Sequence, residues 1–303
     1  MKQRSTPKHD LLTSGQWCWN YLLVDGISLP DAEKQLYQTN EFPDYLNLYA
    51  GTDWDSVADV APLLIAITEQ DPFGRRFLAE GFASEWGVLI KSSQDLPTLA
   101  TRLRQCLTVR HPTGSDLVLR LADPGVIAVL FTELEVFGRT CQGVEALLVP
   151  DALRWEWQFI AVTPRDAGGR SGPVTLSDEA FAVVVKVDER SLLRNLVAHL
   201  DRFFPSWDAM TGRSAGVDRL SRMISRARAA GYSSERSLTQ WANVFGFSGA
   251  PEKPEMLSPA ILGLLDSPPE YPDVEYHARE AAILARSASK QREEPDSRTE
   301  LLP

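Results

Sequence analysis

Gly212-Arg213-Ser214-Ala215-Gly216 is the one string in this chain that spells a catalytic motif. In a G-x-S-x-G elbow a strand runs into the serine, and a sharp turn lifts its hydroxyl above the sheet, where a histidine takes its proton. The residues before the string, FFPSWDAMT, read as a helix end and a loop, and His277 is the one histidine downstream. Ser214 is therefore expected to precede or cap the helix that starts near Val217, with the glycines loosening the connection. The four histidines, His9, His111, His199 and His277, stand apart. His277, with Glu280 three residues on, reads as a pair on a helix surface. The glycine-rich Gly168-Gly169-Arg170-Ser171-Gly172 fits neither a phosphate-binding loop nor a dinucleotide fingerprint and reads as a flexible loop. Cys18, Cys106 and Cys141 are odd in number and widely spaced, neither a disulfide framework nor a ligand set. No cofactor and no metal is expected.

A different chemistry, that of charge, concentrates in one place. Between Ser191 and Arg236 there are eight arginines and no lysine, against Asp201, Asp208, Asp218 and Glu235. Arg219, Arg222 and Arg226 fall on one side of a helix, away from most of its apolar stripe. They form either a solvated face or a protein-docking face, since arginine with a nearby aromatic such as Trp207 is typical of interface anchors. The chain as a whole is acidic, with 41 Asp and Glu against 31 Lys and Arg and a formal charge of -10. Nucleic-acid binding, which needs a basic footprint, is not expected. A hydrophobic share of 44% supports a sizeable core, yet the longest apolar runs are far too short to span a membrane. With no signal-peptide stretch after MKQRSTPKHD, the expected location is the cytoplasm.

The elements that carry these residues can be read from periodicity and caps. The stretch Asp116 to Leu134 reads as a strand, Leu117 to Leu121 with Arg120 inside it, running into a helix. Asp123 has N-cap chemistry, Pro124 suits the first helical position, and Val126, Ile127, Leu130, Phe131 and Leu134 repeat at helical spacing. Upstream, strands are expected at Tyr21–Val24, Asn47–Ala50, Pro62–Ile67, Trp86–Ile90 and Thr108–Arg110. Helices are expected after Ser28, around Phe73 to Phe82, and after Asp95. Pro112-Thr113-Gly114 is a turn joining two strands. Val144–Val149 and Arg154–Val162 read as two more strands about a Pro150-Asp151 turn. AFAVVVKV at 180–187 is favoured as helix, because Ser177, Asp178 and Glu179 form a good start. From Ser191 on the pattern is helical. Continuous apolar strands alternating with helices argue for an α/β lobe with a mixed sheet covered on both faces, followed by a smaller all-α lobe. The expected organisation is a disordered tail at 1–15, the α/β lobe at 16–175, the helical lobe at 176–287 and a second tail at 288–303.

The order YLLVDG with Asp25 and Gly26, then Gly51-Thr52 with Trp54, Pro62-Leu63-Leu64, Trp86-Gly87, Pro112-Thr113-Gly114, and Arg120 with Asp123-Pro124 resembles the adaptor-chaperone family of bacterial type VI secretion. The similarity covers roughly residues 19 to 135, and the segment from Ser191 to about Phe247 looks like the family's C-terminal lobe. Ala122 and Gly125 depart from the family, which often has an aromatic before the Asp-Pro and an arginine after it. The resemblance implies a non-enzymatic cytoplasmic adaptor that binds a VgrG-type spike protein and a cognate toxic effector. It marks Asp25, Gly26, Trp54, Trp86, Arg120, Asp123 and Pro124 as structural. Two rival readings are a small hydrolase or transferase, with Ser214 or a carboxylate in an interlobe cleft, and a general folding chaperone without a spike partner.

Overall fold

The computed structural model describes residues 17–111, 113–163, 174–266 and 274–293. The expected N-terminal tail, Pro112 and the Gly168–Gly172 loop lie outside them. The chain divides into two compact units, residues 1–189 and 190–303.

The first unit is built on a six-stranded sheet. Its strands are β1 (Tyr21–Val24), β2 (Tyr45–Asn47), β3 (Leu63–Ala66), β4 (Gly87–Ser92), β7 (Val144–Asp151) and β8 (Glu156–Ala161). They lie in the order β2-β3-β1-β4-β7-β8, and every neighbouring pair is antiparallel. β1 sits inside the sheet and all four of its residues are buried, which explains why YLLV is apolar on both faces. Leu23 points into a cluster with Leu64, Val88 and Ile90. Leu22 and Val24 point the other way, to Leu63, Ile65 and Leu89.

Helices cover both faces, as expected. On the Leu23 side lie α4 (Leu96–Arg104) and α5 (Pro124–Glu133). Asp95 caps α4 by accepting from the Thr98 N–H at 2.9 Å. Burying Leu96, Leu99, Ala100 and Leu103 seats α4 on the sheet. The opposite face carries α1 (Ala32–Thr39), and then α2 (Pro72–Arg76), which passes through a π-helical turn at Phe77–Gly81 into the short α3 (Phe82–Ser84). Trp86 joins that layer, with its ring centroid 4.9 Å from Phe77 and 5.5 Å from Phe73.

Several local readings shift. The expected Ser28 cap is not used, because helix α1 starts at Ala32 behind an Asp31 in the left-handed region, φ 55°. β2 ends at Asn47 instead of starting there, since the Asn47 carboxamide accepts from the Tyr49 and Ala50 N–H groups and turns the chain. Pro150 and Asp151 belong to β7, so the turn falls after them, with Trp155 at φ 63°. β6 (Asp116–Val118) stops before Leu119, which places Arg120 beyond the strand. The hairpin of β5 (Thr108–Arg110) and β6 does not enter the main sheet. It forms a separate three-stranded sheet with β9 (Val174–Thr175), and β5–β9 is the parallel pair that makes the unit mixed. A short α6 (Glu135–Thr140) precedes β7.

Cys106 and Cys141, 35 residues apart in sequence, meet with their sulfurs 3.1 Å apart as buried free thiols. The hydrogen bond to Cys141, with burial, holds the Cys106 thiol well above its ordinary pKa, so it stays protonated.

The second unit is helical. Helix α7 (Asp178–Phe203) starts within the first unit, where it takes in the AFAVVVKV run and the Ser177 hydroxyl oxygen accepts from the Ala180 N–H at 3.2 Å, and continues into the second. It is followed by α8 (Arg213–Ala229), α9 (Glu235–Phe247), α10 (Pro259–Asp266) and α11 (Val274–Glu293). α11 extends into the segment that reads from sequence as a tail; residues 294–303 lie outside those described. Gly231 ends α8 at φ 100°, and Ser234 caps α9 through the Ser237 N–H at 3.1 Å. Leu220, Met223, Ile224, Leu238, Trp241 and Phe245 form the buried interior. Ala278, Ala281, Ala282 and Ala285 give α11 a buried, small-residue face.

Candidate functional site

The G-x-S-x-G string is scaffolding. Gly212 lies at the N-cap of α8 with φ 79°, and Ser214 falls in the first turn of that helix, with no strand leading into it. Gly216 is required for a different reason. A Cβ there would sit 2.7 Å from the Trp207 ring. Trp207 is buried, donates from Nε1 to Asp201 Oδ1 at 2.9 Å, and lies under the Arg213 guanidinium at 5.3 Å. Arg213 in turn grips Asp201 through two bonds of 2.5 and 2.8 Å. His277 is on α11, and its Nδ1 has no hydrogen-bond partner among the described residues. Among those residues no group of three or more His, Cys, Asp or Glu is placed to hold a metal ion.

The structure places Arg219, Arg222 and Arg226 along one side of α8 and engages each of them. Arg219 donates to the Ala250 carbonyl at 2.9 Å and to the Thr211 hydroxyl. Arg222 donates to the Glu252 carbonyl at 3.1 Å. Arg226 bridges Glu255 and Asp266, the latter at 2.7 Å, and the hydrogen bond to Asp266 raises its pKa above the usual arginine value. Trp207 does not join this row. The row holds the segment after α9 against α8. Because these groups are partly exposed, the ties are individually weak, about 0–1 kcal/mol each. Substituting all three with alanine is expected to lower unfolding free energy by about 1–2 kcal/mol. Hydrogen exchange would show amides around Ala250 to Leu257 losing protection while the core of α9 keeps it.

Of the residues marked as structural, Asp25, Arg120 and Asp123 meet at one junction of the first unit. Asp25, at the end of β1, is 2% exposed and accepts from the Ile27 and Ser28 N–H groups at 3.3 and 3.2 Å. Arg120 completes its shell, donating from Nε at 3.3 Å and from Nη2. The same Nη2 donates to the Ser28 hydroxyl at 2.9 Å, which is what draws Ser28 away from the capping position. Burial opposes the charge on Arg120, but the hydrogen bond and charge of Asp25 more than offset it, so its pKa lies above the ordinary value. Asp123 caps α5, accepting from Gly125 and Val126 N–H at 2.8 and 3.2 Å, with Pro124 at the first position. Gly26 admits no side chain, since a Cβ would lie 2.5 Å from the Ala61 carbonyl oxygen. Trp54 donates from Nε1 to the Thr108 hydroxyl at 3.3 Å, tying the loop after β2 to β5. This junction ties β1 to the start of α5 and so builds the unit.

An open site does occur in the second unit. A groove of about 700 Å³ lies over α7, α9 and α11. Phe203, Phe204 and Phe247 form its aromatic side, and Ile283 with Ala282 its aliphatic side. Phe203 and Ile283 are 56% and 55% exposed, large for apolar side chains. His199 and Asn243 are hydrogen-bonded to each other at 2.7 Å and supply polarity. Arg279 and Arg286 complete the lining. Sequence reading misses this site because α11 is only weakly periodic. The available signal is two arginines seven residues apart, with Ile283 and Leu284 between them on an otherwise alanine-rich helix.

Residues 20–139 match the family model described as a domain of unknown function, DUF4123. The chain is also similar to the accessory protein VasW of Vibrio cholerae serotype O1, with 26% identity over 235 residues, covering 76% of this chain and 75% of that protein. No solved structure matches it. The matched domain spans β1 to α6, including Asp25, Arg120 and Asp123, and the likeness to VasW runs well beyond it. Residues 20–139 thus match the DUF4123 domain, and the chain as a whole is similar to an accessory protein.

Proposed function

We propose that the protein is a non-enzymatic, cytoplasmic adaptor of type VI secretion that binds a cognate toxic effector and recruits it to a VgrG-type spike. The observation that carries this reading is the likeness to an accessory protein over three quarters of both chains, which takes in more than the matched domain. The open aromatic groove of the helical unit supports it as a surface suited to a protein partner. On this reading the arginine row of α8 and Trp207 shape the helical unit, and docking falls to the groove. The described residues contain no helix long and apolar enough to cross a membrane. A hydrolase built on Ser214 is not favoured, because the serine lies in a helical turn without the strand that an elbow needs.

The test is co-expression with the spike and effector candidates encoded beside it, followed by affinity capture. Capture of both in one complex is the expected result, and a chain that retains neither overturns the adaptor reading.

A further inference from the structure

We infer that the groove over α7, α9 and α11 receives an acidic amphipathic helix from a protein partner. The inference rests on the adaptor reading for the identity of the protein that supplies the helix. Its physical basis is a local imbalance of charge. The chain carries a formal charge of -10, yet among the described residues no Asp or Glu lines this groove. Arg279 and Arg286 have no hydrogen-bond or ion-pair partner among the described residues, in contrast to Arg219, Arg222 and Arg226 of α8. At the groove's aromatic wall, the Arg202 guanidinium lies over the Phe203 ring at 5.2 Å, its one contact among those residues. Three unmatched cations around an exposed apolar hollow, on an acidic protein, describe a receptor for carboxylates attached to apolar side chains.

Spacing narrows the ligand further. Arg279 and Arg286 are seven residues apart on one helix, two turns, or about 10.5 Å. Carboxylates at positions i and i+7 of a partner helix lie at the same spacing. Apolar residues at i+3 and i+4 would then face the hollow between Phe203, Phe247 and Ile283. His199 and Asn243, already paired with each other, leave the middle of the groove to apolar contact.

The experiment uses the full chain with benzoylphenylalanine at Ile283, an exposed position, co-expressed with the neighbouring spike and effector. Irradiation is expected to join Ile283 to one of the two, at a segment with carboxylates seven residues apart and apolar residues between them. Arg279→Glu with Arg286→Glu is expected to weaken that partner about tenfold or more while leaving the other bound. Changing the two carboxylates of the cross-linked segment to lysine is expected to restore binding to the doubly reversed chain. A cross-link to a second copy of this chain, to its own residues 294–303, or to a segment without carboxylates overturns the inference. So does undiminished binding by the double variant. In either case the adaptor reading stands as long as the unmodified chain captures its partners, and it falls separately if the unmodified chain captures neither.

Discussion

Trp86→Ala is expected to destabilise the first unit by about 3–5 kcal/mol, as befits the loss of a large, fully enclosed aromatic side chain. Trp86 is 3% exposed and sits where the π-helical turn meets the sheet. Its ring faces Phe77 and Phe73, and Phe77 in turn meets Trp157 at 5.9 Å. The surroundings cannot collapse into the space. Gly81 is already pressed so closely against Phe77 and Trp86 that a Cβ would lie 2.2 and 2.9 Å from their rings. Backbone bonds also fix the position, from the Trp86 N–H to the Gly81 carbonyl and from the Asp25 N–H to the Trp86 carbonyl. Trp86→Phe keeps part of the ring and is expected to lose about 1–3 kcal/mol. Urea titrations followed by far-ultraviolet circular dichroism check both values, since fluorescence would report the missing indole directly. A loss below about 1 kcal/mol for the alanine variant would mean that the aromatic layer repacks.

Asp25→Ala and Arg120→Ala should each cost about 2–4 kcal/mol, and the double variant distinctly less than their sum. The two substitutions fail for different reasons. Removing Asp25 strips acceptors from two backbone amides and from a half-buried guanidinium. Removing Arg120 leaves a carboxylate that is 2% exposed with two amides for company. Arg120 itself is 38% exposed, so water screens its side of the pair, and the figure lies at the low end of what a fully buried pair would lose. A double-mutant cycle from urea midpoints is expected to show a coupling of about 1–3 kcal/mol. Strictly additive losses would reduce the pair to two independent packing effects.

The parts of this fold that can be read from sequence are those whose causes lie within four residues. Asp95 and Asp123-Pro124 act as caps where expected, because a cap is satisfied by its own helix. The apolar runs of β1, β3 and β4 are readable because both faces of each strand are buried. Readings fail where a distant residue intervenes. Ser28 has good capping chemistry but is taken by Arg120, 92 positions away. The separation of β5 and β6 from the main sheet depends on β9, and no local pattern announces a pairing partner. The arginines show the same limit most clearly. Arg219, Arg222 and Arg226 stand out in the sequence as a row, yet each is occupied by groups 8 to 40 residues away. The unmatched cations, Arg279 and Arg286, belong to a helix whose apolar stripe is made of alanine and is therefore faint.

The order of the strands also sets where this gene can be cut. The matched domain ends at residue 139, but β4 pairs with β7, β7 with β8, and β5 with β9, all of which except β4 and β5 come later. A fragment stopped at the domain's edge would leave β4, an interior strand with five of its six residues buried, as an unprotected border. Such a border is a template for intermolecular pairing, so the fragment would be expected to aggregate. The matched segment is thus shorter than the unit that folds, because β7, β8 and β9, which lie past it, complete the sheets that it begins.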